Sequence, residues 1–292
     1  MKFPDFDYAR PETLKDALAL LSSNGEAKPL AGGQSLMPMM AFRLASPRLL
    51  VDLGRIPDLN RITTDSDGVH LGALVRWVDI ERHPELAAAH PLLAAAIKHV
   101  AHYQIRNRGT VGGSLAHADP AAEMPGIAVT CDAEITVASA RGRYTTSARN
   151  FFTGPLSTVL ASDELIIDVR LPLWPQERRW AFEEFSRRKG DFALAGVALF
   201  YDLDADGLVR DPHIGAIGVS DRPVRLLKAE ATLAGRPVTP DVIRAAAALA
   251  AENVEISADI HAPADYRSAL LNTLVERALA RAAGLPALEI VP

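Results

Sequence analysis

Cysteine is almost missing from this chain: Cys131 is the one thiol in 292 residues. A single thiol closes no internal disulfide, and it cannot hold an iron–sulfur cluster or a cysteine-rich zinc site. There is no basic block either. The net charge of −5 is spread along the chain, which argues against nucleic acid or an anionic membrane as partner. No apolar run approaches the roughly 18 residues of a membrane span. The opening Met1-Lys2-Phe3-Pro4-Asp5 has the form of neither a signal peptide nor a twin-arginine leader, so a cytoplasmic protein is expected. No Ser/His/Asp arrangement, paired-carboxylate motif or cysteine nucleophile with an evident base stands out. Internal repeats and low-complexity linkers are absent as well.

What is present is ordinary globular composition, 49% hydrophobic and 23% charged, which excludes disorder. Periodicity supplies the elements. A helix is expected after Arg10-Pro11-Glu12, with Leu14, Ala17, Leu18 and Leu21 on one face and Gly25 beyond its stop. Strands are expected at 49–53 and 69–74, so the first ~60 residues read as a small α/β unit. An Ala-rich helix is expected over 84–103, then a glycine-rich loop over 106–114. Asp119-Pro120 looks like an N-cap followed by proline at the first helical position. A hairpin around Arg141-Gly142 and a strand at 165–171 follow. The proline-rich Leu171-Pro172-Leu173-Trp174-Pro175 marks a boundary. Beyond it, strands at 182–187, 194–202 and 214–219 suggest an antiparallel sheet, and helices are expected at 241–252 and 266–282.

Two glycine loops carry the chemistry. In Leu30-Ala31-Gly32-Gly33-Gln34-Ser35-Leu36 the adjacent glycines admit φ > 0, so successive N–H groups can converge on a phosphate oxygen. Ser35 adds a hydroxyl and Gln34 an amide. No lysine follows, so this is not the P-loop pattern, and it is not G-x-G-x-x-G. The second loop, Arg106-Asn107-Arg108-Gly109-Thr110-Val111-Gly112-Gly113-Ser114, repeats the design. Together the two suit the two phosphates of a dinucleotide. In the bland alternative Arg106 and Arg108 cap the preceding helix and the glycines only turn the chain.

Other polar residues have simpler readings. His99 and His102 are three apart on a helix but lack a third metal ligand. Arg187-Arg188-Lys189 reads as a solvated face or a docking edge. Met37, Met39 and Met40 suit core gaps beside the first loop, and Cys131 suits a buried small hydrophobe.

Ala31-Gly32-Gly33-Gln34-Ser35-Leu36-Met37-Pro38-Met39-Met40 resembles the first FAD loop of the medium subunit of molybdenum hydroxylases. That group includes aerobic carbon monoxide dehydrogenase and the flavin domain of xanthine dehydrogenase. The stretch from Ile105 through Arg106-Asn107-Arg108-Gly109-Thr110-Val111-Gly112-Gly113-Ser114 to Pro120 resembles its second FAD loop. Phe185-Ser186-Arg187-Arg188-Lys189-Gly190-Asp191-Phe192-Ala193 and Asp265-Tyr266-Arg267 resemble its C-terminal domain. The resemblance implies an α+β chain. A two-subdomain FAD-binding domain of the vanillyl-alcohol-oxidase (PCMH) type would cover 1–175, split at about 1–57 and 58–175. A small C-terminal α+β domain with an antiparallel sheet and helices would cover 176–292.

It also implies roles. Ala31 to Leu36, with Thr110, Gly113 and Ser114, would hold the pyrophosphate of FAD, and Leu30, Val111 and Gly112 belong to the same cofactor-binding set. His117 and Glu123 would lie along the cofactor. Leu165 would sit near its flavin or adenine end, and the loop Lys189 to Phe192 beside the isoalloxazine ring. Some relatives have tyrosine where Phe192 stands. Three readings of function stay open. In the first, the chain is the FAD electron-transfer subunit of a molybdenum hydroxylase. Its small partner would bring [2Fe–2S] clusters and its large partner molybdopterin, in a heterotrimer, itself dimerised, serving an external acceptor. In the second, it is a self-contained flavin oxidase. Such enzymes often tether flavin through a histidine where Gln34 stands, so FAD is expected to be non-covalent. In the third, it is a non-catalytic nucleotide-binding scaffold.

Overall fold

The computed structural model describes residues 3–286. Met1, Lys2 and residues 287–292, the outer ends of the expected 1–175 and 176–292 divisions, lie outside it.

The first layer is a parallel sheet of order β1-β3-β2, from β1 (Asp7–Ala9), β2 (Ala27–Leu30) and β3 (Leu49–Asp52). Helix α1 (Leu14–Ser23) starts at Thr13, whose hydroxyl accepts the Asp16 amide at 3.1 Å. It buries Ala17, Leu18 and Leu21, the expected stripe, against Ala27, Val51 and Leu53. The short α2 (Leu36–Ala41) follows β2 and buries Met40 completely.

The second layer is a five-stranded antiparallel sheet of order β4-β5-β10-β6-β7. Its members are β4 (Ile62–Asp65), β5 (Gly68–Gly72), β6 (Glu134–Ser139), β7 (Gly142–Ser147) and β10 (Leu165–Pro172), with the pair β8 (Phe152–Gly154) and β9 (Ser157–Thr158) standing apart. The β6–β7 hairpin and β10 match the sequence expectation. The single helix expected over 84–103 does not form. After α3 (Trp77–Arg82), the chain makes α4 (Leu86–Ala89), α5 (Pro91–Ala96) and α6 (Tyr103–Arg106). Pro91 is the cause, because proline has no amide to donate and drives the preceding residue out of the helical region. His90 accordingly sits at φ −152°, ψ 76°, and its Nδ1 accepts the Leu93 amide at 3.2 Å as a cap. The buried ring of His90, against Trp174, has its pKa pushed down to about 3 by burial.

Two further expectations shift. The stretch 106–114 is only partly a loop, because Val111–His117 forms α7. Asp119-Pro120 does not begin a helix. Asp119 instead accepts the Ala121 amide at 2.9 Å in a tight turn, and the Pro120 carbonyl accepts the Gly218 amide. Helix α8 (Glu123–Thr130) starts three residues later, and all eight of its residues are buried. The short α9 (Ala148–Phe151) then leads into β8.

The third layer is the expected antiparallel sheet, order β11-β12-β13-β14: β11 (Arg179–Phe185), β12 (Ala195–Leu203), β13 (Val209–Ile217) and β14 (Val224–Arg225). Alternation decides its two faces. Ala181, Val197, Leu199 and Tyr201 pack under α10 (Leu227–Leu233), α11 (Pro240–Ala248) and α12 (Ala264–Ala282). Phe182, Ala198 and Phe200 face the other way and join the core around α8 and the second layer. The buried α8 is thus the piece on which the second layer and the C-terminal sheet meet. Among the described residues no helix is long and apolar enough to cross a membrane.

Candidate cofactor-binding site

The first glycine loop leaves β2 and enters α2. Its backbone donors are free: the amides of Gly32, Gly33, Gln34 and Ser35 reach no acceptor among the described residues. Gly33 lies at φ 73°, the left-handed region that glycine enters without strain. Four successive unpaired amides beside a positive-φ glycine are a donor set that an anionic oxygen can use. Ser35 stands at the N-cap of α2, but its hydroxyl caps nothing. Gln34 was expected to offer its amide outward. Its Nε2 instead donates to the Gly32 carbonyl at 3.0 Å, so this group braces the loop.

The second loop is built differently. Its amides are spent: Val111 donates to Val75 at 2.9 Å, Gly112 to Ala73 at 2.8 Å and Ser114 to Thr110 at 3.0 Å. The Gly113 amide goes to the Thr110 hydroxyl at 3.2 Å, which caps α7. Gly112 is required by packing, since a Cβ there would stand 2.6 Å from that of Ala73. The expectation of two matching amide nests is corrected accordingly. The first loop supplies backbone donors, and the second supplies hydroxyls of Thr110 and Ser114. Replacing Thr110 by alanine should cost about 1 kcal/mol through loss of the cap. A thermal melt should read this as a fall of roughly 2–4 °C.

The two loops touch. A Cβ on Gly32 would overlap the Arg108 carbonyl oxygen, with that carbonyl carbon at 2.8 Å, and Ala31 lies near Gly113. Arg106 fixes the approach by donating to the Val100 and Ala101 carbonyls at 3.1 and 2.9 Å and pairing with Glu81 at 3.0 Å. These carbonyls lie in the turn beyond α5, which ends at Ala96, so Arg106 braces that turn rather than capping the preceding helix.

The remaining candidates are placed unequally. His117 ends α7, half-buried, and burial holds its ring below the ordinary histidine value against the opposing pull of Asp119. Glu123 opens α8 and is buried; burial and the charge of Asp119 push its carboxyl up to about 7, against its own backbone hydrogen bond. Lys189 and Phe192 are exposed on the loop after β11. That loop rests on the approach to the second glycine loop: Gly190, at φ 89°, has the Ala101 carbonyl oxygen 3.0 Å from where a Cβ would stand. Phe192 presents a ring with no hydroxyl, 66% exposed. Leu165 begins β10 and is buried with Leu18, Leu21 and Leu53, in a cluster that contains no residue of either glycine loop.

Sequence reasoning missed Ala73 and Trp77, which seat the second loop, and Glu184, which lies buried on β11. None carries a local motif; each matters only through a distant neighbour. No group of three or more His, Cys, Asp or Glu among the described residues is placed to hold a metal, so His99 and His102 form no such site. His99 packs edge-on against Phe182 instead. Burial pushes the Cys131 thiol up to about 12. In the native chain it should resist a thiol-specific reagent and react once denatured; rapid native labelling would contradict this placement.

Comparison with known proteins agrees with this geometry. The family model described as FAD binding domain in molybdopterin dehydrogenase matches residues 4–174. That described as CO dehydrogenase flavoprotein C-terminal domain matches residues 180–282. The nicotine 6-hydroxylase medium subunit of Paenarthrobacter nicotinovorans is 42% identical over 282 residues, covering 97% of this chain and 99% of that protein. A solved carbon monoxide dehydrogenase from Hydrogenophaga pseudoflava superimposes with a TM-score of 0.94 at 37% identity, covering 97% of this chain and 99% of that one. Quinoline 2-oxidoreductase from Pseudomonas putida 86 gives 0.93 at 36% identity, with the same coverage. With apposed glycine loops, a C-terminal sheet docked on α8 and both family models matched in order, the chain belongs to the family of FAD-binding medium subunits of molybdenum hydroxylases.

Proposed function

We propose that the chain holds one FAD non-covalently and relays electrons between [2Fe–2S] clusters of a small partner and an external acceptor. Substrate oxidation would occur at molybdopterin on a large partner, within a cytoplasmic heterotrimer that itself dimerises. The proposal divides the chain near residue 175, with flavin binding before it and the C-terminal α+β domain after it. The observation that carries it is the run of four unpaired amides from Gly32 to Ser35, set against the hydroxyl-bearing second loop.

When bound, FAD supplies a centre that exchanges electrons one or two at a time. The protein's own residues do the rest. Gly32, Gly33, Gln34 and Ser35 would donate backbone hydrogen bonds to the pyrophosphate, with Leu30, Ala31 and Leu36 shaping the loop. Thr110 and Ser114 would add hydroxyls from the facing side, and Val111, Gly112 and Gly113 let α7 approach closely enough for that. His117, neutral near pH 7, and Glu123 would line the path toward the C-terminal sheet. Lys189 and Phe192 would cover the isoalloxazine end, Phe192 excluding water without offering a proton. Leu165, buried with Leu18, Leu21 and Leu53, would act only through the core of the first layer. Cys131, buried and alone, leaves the clusters to other chains.

The test is the visible spectrum of the purified chain, followed by denaturation and analysis of the supernatant. Flavin absorption with intact FAD released supports the proposal. A colourless chain that takes up no FAD, even with its partners present, would sink it. Oxidation of a small alcohol or amine by the chain alone would favour a self-contained oxidase.

A further inference from the structure

Two carboxyls with no Lys or Arg partner among the described residues lie along one packed row where α8 meets the C-terminal sheet. On β11, alternation sends Trp180, Phe182 and Glu184 toward α8, while Glu183 turns to the opposite face and bonds Arg281 at 2.9 Å. Glu184 lies opposite Gly196, and Gly196 opposite Ile217, so the three form one row across β11, β12 and β13. The Glu184 Cγ packs over Gly196, 3.5 Å from where a Cβ would stand. Ile217 is pressed so closely onto Gly126 of α8 that a Cβ there would overlap its Cγ2. Glu123 precedes Gly126 by three residues and shares its helix face, which sets its carboxyl over the same row.

The surroundings offer these groups little. The Glu184 side chain is 3% exposed, its Oε2 has no hydrogen-bond partner, and its Oε1 is 3.9 Å from His99 Nδ1. Glu123 accepts from its own backbone amide, and no cation pairs with it among the described residues. The other ionisable groups nearby are His99, which Lys189, Glu183 and Arg281 also influence, and Asp119 with its neighbour His117. Burial holds His99 below its ordinary value, so it brings no positive charge at pH 7. Two carboxylates cannot both stay ionised in a low-dielectric junction without a cation.

We propose that Glu123 and Glu184 share one proton across this junction, with neutral Glu184 acting as the positioning residue for an ionised Glu123 beside the cofactor. Burial pushes Glu184 up to about 8, and the charge of Glu123 adds to this; Glu123 itself is raised to about 7. Glu123 stands in the first turn of α8 and accepts its own backbone amide, both of which favour its anion, whereas Glu184 Oε2 has no partner, so Glu184 keeps the proton. Both values lie above the ordinary 4.5. The folded chain thus holds extra protons, its stability is fully present below about pH 4.5, and it declines as pH rises through about 8. Ionisation of Glu184 would bring a second negative charge to a junction already carrying one, loosening Glu123 and repelling an anionic cofactor. The cofactor part of this inference rests on the flavin reading above; the shared proton does not.

The test uses the full chain as wild type, Glu184→Gln and Glu123→Gln, with infrared spectra and FAD affinity measured in parallel. A protonated-carboxyl C=O band component that titrates near pH 8 should be present in wild type and be missing from Glu184→Gln. Wild-type FAD affinity should weaken by up to about tenfold for each pH unit above 8, and Glu184→Gln should be flat there. Absence of the component titrating near pH 8 from wild type, or its persistence in Glu184→Gln, would overturn the shared proton. A flat wild-type affinity profile would overturn the positioning role. If wild type binds no FAD at any pH while the band behaves as expected, the flavin reading fails and the shared proton stands. Glu123→Gln guards against a folding defect: with its neighbour neutral, the Glu184 band should titrate at lower pH, and an unmoved titration would overturn the coupling.

Discussion

Gly32→Ala should yield a chain that purifies without flavin. The added methyl would overlap the Arg108 carbonyl oxygen and stand 2.8 Å from its carbon, and both belong to backbone rather than to a flexible side chain. Backbone cannot swing aside, so the two glycine loops must separate. Overpacking of this kind costs about 1–3 kcal/mol in stability. The larger effect falls on the cofactor, because separation breaks the alignment of the Gly32–Ser35 amides with the Thr110 and Ser114 hydroxyls. FAD affinity should fall by at least about 100-fold, since even two well-formed hydrogen bonds to a charged group are worth roughly 3 kcal/mol. Visible absorption and equilibrium titration with FAD provide the measurement. A yellow variant with unchanged affinity would show that the apposition of the loops does not create the site. The milder Gly25→Ala, at a glycine with open space around it, is the control and should stay yellow.

Arg267→Ala should be the most destabilising single change outside the loops. Arg267 sits in the first turn of α12 with its side chain 5% exposed. It donates to the Leu194 carbonyl at 2.7 Å and to the Gly218 carbonyl, and its Nη2 pairs with Asp259 at 2.8 Å. Leu194 precedes β12, and Gly218 follows β13 and donates to Pro120 in the turn before α8. One guanidinium therefore ties α12, two strand ends and the segment that delivers Glu123. Truncation leaves buried carbonyls unsatisfied and Asp259 without its cation, a loss of about 3–5 kcal/mol. Thermal unfolding should drop by on the order of 10 °C. Arg267→Lys should recover little, because a single ammonium cannot reproduce the fork. A variant melting within a degree or two of wild type would refute the role.

Much of this molecule is legible along the chain. The apolar stripe of α1, the β6–β7 hairpin, β10 and the antiparallel C-terminal sheet all follow from repeats of 3.6 or 2 residues. The errors share a cause. Pro91 splits the 84–103 helix because one residue without an amide outweighs a favourable Ala-rich composition. The second glycine loop reads as a turn, but Gly112 and Gly113 lie in α7, where the missing side chain serves contact with Ala73. A glycine's local preference does not reveal which neighbour its absent side chain makes room for.

By itself the sequence determined which chemistry this chain can offer. Paired glycines and flanking hydroxyls are donors that suit a phosphate, and one cysteine is too few to ligate a metal cluster, because residue type alone decides which donors and ligands exist. Tertiary structure decided which of those groups meet. It set Gly32 against Arg108, spent the amides of the second loop on Ala73 and Val75, and brought Glu184 to the row beneath Glu123. Local periodicity spans a few residues, whereas these pairings join distant segments, and only packing of the three layers on one another brings them together.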